Sequence, residues 1–236
     1  MHTSEGSLCA KASAEDMVRA YKEYGYTGIF VTNHNWNGNT SVDRSLPWRE
    51  WVKEFFKAYE IAKKVGDEIG LDVFCAYEAG YGGPEFLIYG ITPEWVADHE
   101  EIKDASVKEQ LEIIHSCGGM VIQAHPYREE WYIPEVLIYP DDVDGLEIVN
   151  ATHSNSKSVS HNNPEFDVKA IELCKKTKLP TTAGSDMHNT NIFGGGMAFK
   201  TPLKSSEDFI ERVKNKEDYL LTNGEHWYTN EGDLIL

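Results

Sequence analysis

The sequence predicts an α/β protein in which helices separate most of the strands. Short apolar runs with β-branched residues alternate with amphipathic segments, and capping residues or glycines mark several boundaries. Strands that are separated by helices usually pair in parallel through right-handed crossovers. The pattern therefore fits an α/β barrel or a doubly wound sheet, and both architectures place functional sites at the carboxyl ends of the strands.

Local signals place each element in turn. Ser13 and Asp16 resemble a capping box with Asp in place of Glu, and Gly25 is the predicted end of that first helix. Ser106 and Ser205 are the predicted caps of two later helices. In chain order, the predicted helices cover about residues 13–25, 48–69, 106–117, 165–176 and 205–214, and the predicted strands cover 28–32, 71–76, 85–90, 120–124, 145–149 and 180–183.

The length and composition fit one folded domain. With 236 residues, 41% hydrophobic and 11% aromatic, the chain can build a full core. We predict a single domain over residues 1–236, whose C-terminal part, about 218–236, is a hairpin with Asn223-Gly224 as a two-residue turn.

Composition also disfavours several classes of partner. No apolar run is long enough to span a bilayer, and the start lacks the basic and apolar regions of a signal peptide. The four cysteines are scattered without a C-x-x-C, which argues against a disulfide framework and a zinc ribbon. A cytoplasmic location is therefore expected, with no membrane partner. The net charge of −17 disfavours extended nucleic acid, whereas a small phosphorylated substrate could bind where metal cations reverse the local field.

Metal-competent side chains lie at the ends of four β-type runs. They are His34, Glu78, His125, Asp186 and His188. Asp186 and His188 are two residues apart, so an extended backbone would point them to the same side. Imidazole and carboxylate groups suit Zn²⁺, Mn²⁺ or Fe²⁺, and a glutamate can bridge two ions. The set predicts one metal site at the carboxyl ends of the strands.

Six segments together resemble the PHP (polymerase and histidinol phosphatase) family. They are residues 1–4, 32–34, 77–78, 124–126, 145–150 and 184–188, in the family's motif order. Residues 147–214 further resemble the stand-alone predicted phosphoesterases of that family. The resemblance implies a distorted (β/α)7 barrel, with two or three divalent metal ions at the carboxyl ends of its strands and metal-dependent phosphoesterase activity.

The resemblance also implies a ligand set. It assigns metal ligation to His2, His34, Glu78, His125, Asp186 and His188. His2 matches the second histidine of an H-x-H motif whose first histidine would precede Met1; we expect a late-assigned start or a trimmed chain, and the alternative is a natural site with one ligand fewer. Glu78 matches the bridging carboxylate, and Asp186 matches a ligand shared with the H-x-H metal.

Three positions depart from the family pattern. Asn33 replaces the usual aspartate, which is expected to weaken the orientation of His34. Cys9 and Glu85 stand near positions where relatives often have histidine. The Cys9 thiolate could be a ligand or the residue could be structural, and a Glu85 carboxylate would favour Mn²⁺ or Fe²⁺ over Zn²⁺.

Other polar residues are candidates for binding substrate. Arg128 could clamp a phosphate, or it could form a surface salt bridge with a neighbouring glutamate. His153 and His161 fall in the predicted loop 150–163, where either could contact substrate or remain a solvated loop histidine. Glu147 could orient a ligand or bind backbone N–H groups.

We therefore expect hydrolysis of a phosphomonoester of a small metabolite or nucleotide by a metal-bound hydroxide. Two or three Mn, Fe or Zn ions would serve, with Glu78 and Asp186 as bridging or orienting carboxylates. Two alternatives stay open: a phosphodiesterase or exonuclease that acts on short oligonucleotides, and a catalytically impaired metal-binding module.

Overall fold

The computed structural model describes residues 1–235 and is mixed α/β, as the sequence predicts. Its helices are α1 (Ala14–Tyr24), α2 (Trp48–Ile69), α3 (Pro93–Asp98), α4 (Val107–Ser116), α5 (Ala151–Ser154), α6 (Glu165–Thr177) and α7 (Ser206–Lys214), with a 3₁₀ helix at Glu100–Lys103. Its strands are β1 (Gly28–Val31), β2 (Asp72–Gly80), β3 (Glu85–Tyr89), β4 (Met120–Ala124), β5 (Gly145–Asn150), β6 (Thr181–Gly184), β7 (Gly196–Phe199), β8 (Tyr219–Thr222) and β9 (Trp227–Thr229). Within this described part, none of the helices combines the length and apolar character needed to cross a bilayer.

The strands form two sheets. Six strands follow the order β1-β2-β3-β4-β5-β6, and three follow the order β7-β8-β9. Strand β1 pairs in parallel with β2, with Gly28 opposite Asp72, and β5 pairs in parallel with both β4 and β6. The second sheet is antiparallel. Parallel strands joined through helices confirm the predicted fold class, a distorted (β/α) barrel, with six strands in the main sheet among the described residues.

The chain consists of two compact units. Unit 1 comprises Met1–Tyr81, Leu87–Met120 and Met187–Ile192. Unit 2 comprises Gly82–Phe86, Val121–Asp186 and the residues from Phe193 onward.

The core of unit 1 is built on the aromatic face of α2. Trp48, Trp51 and Phe55 are buried, and their rings stack in sequence, with centroids 5.4 Å apart for the first pair and 4.9 Å for the second. Helix α2 packs against α1 and β2. These aromatic residues therefore stabilise the core, as their helical spacing predicts.

Residues 1–3 lie beside the end of β1 in unit 1. The N-terminal ammonium donates hydrogen bonds to the carbonyl oxygen of Phe30 at 3.2 Å and to Thr32 Oγ1 at 2.9 Å, and the Thr32 N–H donates to the Met1 carbonyl at 3.0 Å. The His2 N–H donates to the Met187 carbonyl at 3.0 Å. This pairing fixes the backbone of His2 between two segments of the unit.

The C-terminal hairpin of unit 2 forms with a longer turn than predicted. Thr222 pairs with Trp227, so four residues rather than two connect β8 to β9. The reason is the Asn223 side chain, whose Oδ1 accepts hydrogen bonds from the N–H groups of Glu225 at 2.9 Å and His226 at 2.8 Å. A side chain that satisfies two loop donors stabilises the wider turn.

Candidate functional site

Unit 1 brings five of the predicted metal ligands together. One ligand atom from each of His2, Cys9, His34 and His188 lies within 4.8 Å of the other three, and we call these four residues the histidine–thiol cluster. Glu78 lies beside it, with Oε2 3.2 Å from His2 Nε2 and 3.3 Å from His34 Nδ1. Imidazole, thiolate and carboxylate donors at such separations fit a divalent transition metal.

Short backbone contacts position the members of the cluster. His34 continues the parallel pairing of β1 with β2 beyond the end of β1, where it forms a bridge with Glu78. The Lys11 N–H donates to the His188 carbonyl at 2.8 Å, which holds the segment after Cys9 against His188. The rings of His2 and His188 stack with centroids 4.4 Å apart, and the ring of His34 lies 4.6 Å from that of His2.

A hydrogen-bond network determines which nitrogen of His2 carries hydrogen. The Thr3 N–H donates to Asn33 Oδ1 at 2.7 Å, so this atom is the amide oxygen and can only accept. Ser7 Oγ lies 3.0 Å from the same oxygen and therefore donates its single hydrogen to it, while it accepts from the His34 N–H at 3.0 Å. His2 Nδ1, at 3.3 Å from Ser7 Oγ, must then donate. The network assigns a hydrogen to Nδ1, so Nε2 is the nitrogen of His2 that remains to bind a metal ion or to donate to Glu78.

His2 Nε2 faces the carboxylate of Glu78. The two atoms are 3.2 Å apart, and both residues are at most 3% exposed. A buried carboxylate at this distance is compensated either by an imidazolium hydrogen on Nε2 or by a cation that both atoms bind. The contact therefore places two ligand atoms where one divalent ion could bind both.

Asn33 orients the His2 loop rather than His34 alone. Its side chain contacts Thr3 and Ser7, and its Nδ2 donates to Thr3 Oγ1 at 3.0 Å. A Cβ atom at Gly6 would lie 2.4 Å from Asn33 Cγ, so the loop can close over the amide only with glycine at this position. Asn33, which departs from the family pattern, thus forms hydrogen bonds through both its amide oxygen and its amide nitrogen.

In unit 2, two predicted ligands have a left-handed backbone. His125 has a φ of 27° just after β4, and Asp186 has a φ of 49° shortly after β6. Non-glycine residues rarely adopt such angles, and they cluster at sites where the surrounding structure enforces them. Both side chains are therefore held in directions that an ordinary strand end would not give.

Arg128 is buried and lies at the centre of a polar network in unit 2. Its Nη2 donates to Asp186 Oδ2 at 2.6 Å and to Thr152 Oγ1 at 3.3 Å, and its Nε donates to His153 Nε2 at 2.9 Å. Burial would lower the pKa of Arg128, but the charge and hydrogen bond of Asp186 outweigh it and raise that pKa. The described contacts are those of a buried ion pair, not of a surface salt bridge with Glu129 or Glu130.

His153 accepts a hydrogen bond from the Nε of Arg128. It is 1% exposed and belongs to α5, not to a loop. Because Nε2 accepts from Arg128, Nδ1 carries the hydrogen and donates to Asp167 Oδ1 at 2.8 Å. Burial and the charge of Arg128 lower the pKa of His153, and burial raises the pKa of Asp167 to about 7. His161 is partly exposed, and its Nδ1 contacts Glu130.

Glu147 supports the left-handed residue His125 in unit 2. Its Oε2 accepts from the His125 N–H at 3.0 Å and from Asn150 Nδ2 at 3.1 Å. A Cβ at Gly184 would lie 2.2 Å from Glu147 Oε1, so glycine leaves the space for this carboxylate. Burial, followed by the charge of Asp186, raises the pKa of Glu147 to about 8.

A pocket of unit 2 is lined by Glu85, His125 and Arg128, together with residues 133 and 135–137. Glu85 Oε2 lies 3.5 Å from His125 Nε2, so the structure brings these two predicted ligands together. The assignment of each residue as a ligand or substrate contact stays a prediction. Three further residues orient the predicted site residues through hydrogen bonds: Ser7 for His2 and His34, Thr152 for Arg128, and Asp167 for His153. No sequence motif identifies these three residues.

Part of the chain matches a described family. Residues 165–217 match the model described as PHP-associated. No curated protein matches the sequence.

Solved structures share the fold over most of the chain. A two-domain protein from Bacteroides vulgatus that contains a predicted PHP-like metal-dependent phosphoesterase has a TM-score of 0.65 and 14% identity, over 94% of this chain and 62% of that one. This chain therefore spans less than two thirds of that protein. A Bifidobacterium adolescentis protein, inferred to be a metal-dependent phosphoesterase, has a TM-score of 0.53 and 15% identity, over 89% and 92% of the two chains.

An amidohydrolase from Chromobacterium violaceum, solved with sulfate and no metal, has a TM-score of 0.53 and 13% identity, over 80% of this chain and 86% of that one. At these identities the likeness shows a common fold. The chain therefore shares the fold of PHP-like structures, and its residues 165–217 match the PHP-associated family model.

Proposed function

We propose that the chain is a metal-dependent phosphoesterase that hydrolyses a phosphomonoester of a small metabolite or nucleotide. The observation that carries the proposal is the histidine–thiol cluster with Glu78 beside it, where His2 Nε2 lies 3.2 Å from a buried carboxylate oxygen. The descriptions of the Bacteroides and Bifidobacterium structures as phosphoesterases support the reaction class.

The residues of unit 1 would hold the metal. His2, His34 and His188 would bind through imidazole nitrogens, and Glu78 through its carboxylate. Bound divalent ions supply Lewis acidity toward the phosphoryl group and activate water near neutral pH. The chain then needs no side-chain nucleophile, which agrees with a sequence that lacks a G-x-S-x-G motif.

Arg128 is the residue that we assign to anion binding in unit 2. It lines the pocket, and its hydrogen bonds to described residues use only Nε and Nη2. The Nη1 donors are left for a phosphate oxygen, while His153 and Thr152 hold the guanidinium plane in place. Sulfate, a tetrahedral dianion like phosphate, is bound in the Chromobacterium structure, which agrees with an anion subsite in this fold.

The charge of the chain favours a small substrate. A net charge of −17 repels a long polyanion at distance, whereas one phosphate group meets mainly the local field of bound cations.

The test compares p-nitrophenyl phosphate with its bis-ester on purified protein, first stripped by a chelator and then reloaded with Mn²⁺ or Zn²⁺. We expect monoester turnover that disappears with the metal. Glu78→Gln should abolish turnover and lower the metal content, because it removes the buried charge while it keeps the shape. His115→Ala, on the exposed end of α4, is the matched control and should change neither.

Two outcomes would overturn the proposal. Cleavage of the bis-ester alone would favour the phosphodiesterase alternative. Metal-loaded protein that cleaves neither ester would instead indicate a metal-binding module.

A further inference from the structure

We propose that the histidine–thiol cluster binds a zinc-type ion with the Cys9 thiolate as a direct ligand, and that it selects this ion over Mn²⁺. The inference deepens the proposed function, on which it rests only for the presence of a metal. It concerns the identity of one ion and the residue that determines it.

The arrangement of the four donors fits a single small ion. The chosen ligand atoms of His2, Cys9, His34 and His188 are all within 4.8 Å of one another. Three nitrogens and one sulfur around a tetrahedral zinc ion are roughly 3.3 to 3.5 Å apart, as follows from Zn–N bonds of about 2.0 Å and Zn–S bonds of about 2.3 Å. Modest side-chain rotations would bring the four ligand atoms from within 4.8 Å of one another to these tetrahedral separations.

The backbone around Cys9 holds its thiol at the cluster. The Leu8 N–H donates to the Asn39 carbonyl at 3.0 Å, and the Ala10 N–H donates to the Ser7 carbonyl at 3.2 Å. The next residue, Lys11, is hydrogen-bonded to His188. The residues on both sides of Cys9 are thus hydrogen-bonded to other segments of unit 1, one of which carries His188. These backbone hydrogen bonds keep the Cys9 thiol near the histidines.

The donor types decide which ion is preferred. Thiolates are soft ligands, whereas Mn²⁺ favours carboxylate, carbonyl and water oxygens. Imidazole and thiolate are both good ligands for zinc, which is usually bound by four such donors in a tetrahedral arrangement. Cys75 offers a contrast within unit 1, because burial raises its pKa to about 12 and keeps it protonated.

Cobalt substitution tests the proposal without relying on catalysis. Metal-free protein is titrated with Co²⁺, which replaces zinc and reports a cobalt–sulfur bond through a thiolate-to-metal charge-transfer band in the near ultraviolet. We expect the band in the wild-type protein, its displacement by Zn²⁺ and its persistence with excess Mn²⁺. Cys9→Ser should lose the band and bind Zn²⁺ at least about tenfold more weakly. Cys117→Ser, which removes an exposed thiol at the end of α4, should retain both.

A second measurement uses only the wild-type chain, in case Cys9→Ser folds poorly. Saturating Zn²⁺ should protect Cys9 from alkylation, as read by mass spectrometry of its peptide, while Cys117 reacts at an unchanged rate. Cobalt binding without a charge-transfer band, a band that survives in Cys9→Ser, or unprotected Cys9 would each overturn the proposal. Failure of ester hydrolysis alone would leave these signals intact, so the proposed function and this inference fail separately.

Discussion

Removal of the Ser7 hydroxyl should release His2 without changing any predicted ligand. Ser7 Oγ accepts hydrogen bonds from the His34 N–H at 3.0 Å and from His2 Nδ1 at 3.3 Å, and it donates to Asn33 Oδ1 at 3.0 Å. Ser7→Ala leaves two buried donors without this acceptor. At about 1–3 kcal/mol for each orphaned group, the free energy of unfolding should fall by about 2–6 kcal/mol.

The same change should weaken metal binding. The contact of Nδ1 with Ser7 leaves Nε2 of His2 to bind a metal ion, and loss of such an orienting partner typically lowers metal affinity about 10- to 100-fold. Urea unfolding of the metal-free protein measures the stability, and competition with a chelator measures the affinity for Zn²⁺. Ser45→Ala is the control, because its hydroxyl contacts only exposed Asp43, and it should stay within about 0.5 kcal/mol of wild type. If Ser7→Ala matches this control in both measurements, the network does not orient His2.

Four further predictions can be checked by urea unfolding of the metal-free protein. Arg128→Met should destabilise it by about 3–5 kcal/mol, because the buried Asp186 carboxylate loses the positive charge of its ion pair; an unchanged midpoint would contradict the ion pair. Because the pKa of Glu147 is raised to about 8 from its ordinary 4.5, its contribution to stability is complete below pH 4.5 and is lost as the pH rises through 8. Glu147→Gln should flatten this fall, and an equally steep fall would refute the assignment. Tyr77→Phe should be neutral or stabilise by up to about 1 kcal/mol, because the buried hydroxyl has no hydrogen-bond partner among the described residues; a loss above about 1 kcal/mol would reveal one. Gly184→Ala should destabilise the fold, since its Cβ would meet Glu147, and an unaltered midpoint would show that this carboxylate moves freely.

Most of the fold could be predicted because its main elements carry strong local signals. The bounds of α2 follow from its long amphipathic pattern, and those of α1 follow from Ser13 and Gly25, both of which act as predicted caps. Helix α5 has only four residues, too few for a periodic pattern, and β7 becomes a strand through pairing with the distant β8. Such elements depend on tertiary contacts that the local sequence does not encode.

The site could be predicted in its donor types but not in its supporting contacts. Strand-end placement predicts His34 and Glu78 as ligands, and the family resemblance adds His2. The structure places the Glu78 carboxylate within hydrogen-bonding distance of both histidines. The roles of Ser7 and Asp167 could not be predicted. A serine in a loop and an acid in the first turn of a helix have many ordinary uses, and only the three-dimensional pairing selects one.

The tight packing of Gly6 on Asn33 couples the evolution of these two positions. A methyl group at residue 6 would overlap the amide carbon by more than a small shift could relieve, since the separation would be 2.4 Å. A relative that replaces this glycine must therefore also shorten residue 33 or rebuild the turn that carries His2. Joint variation of positions 6 and 33 would consequently mark relatives in which the turn that carries His2 has been rebuilt.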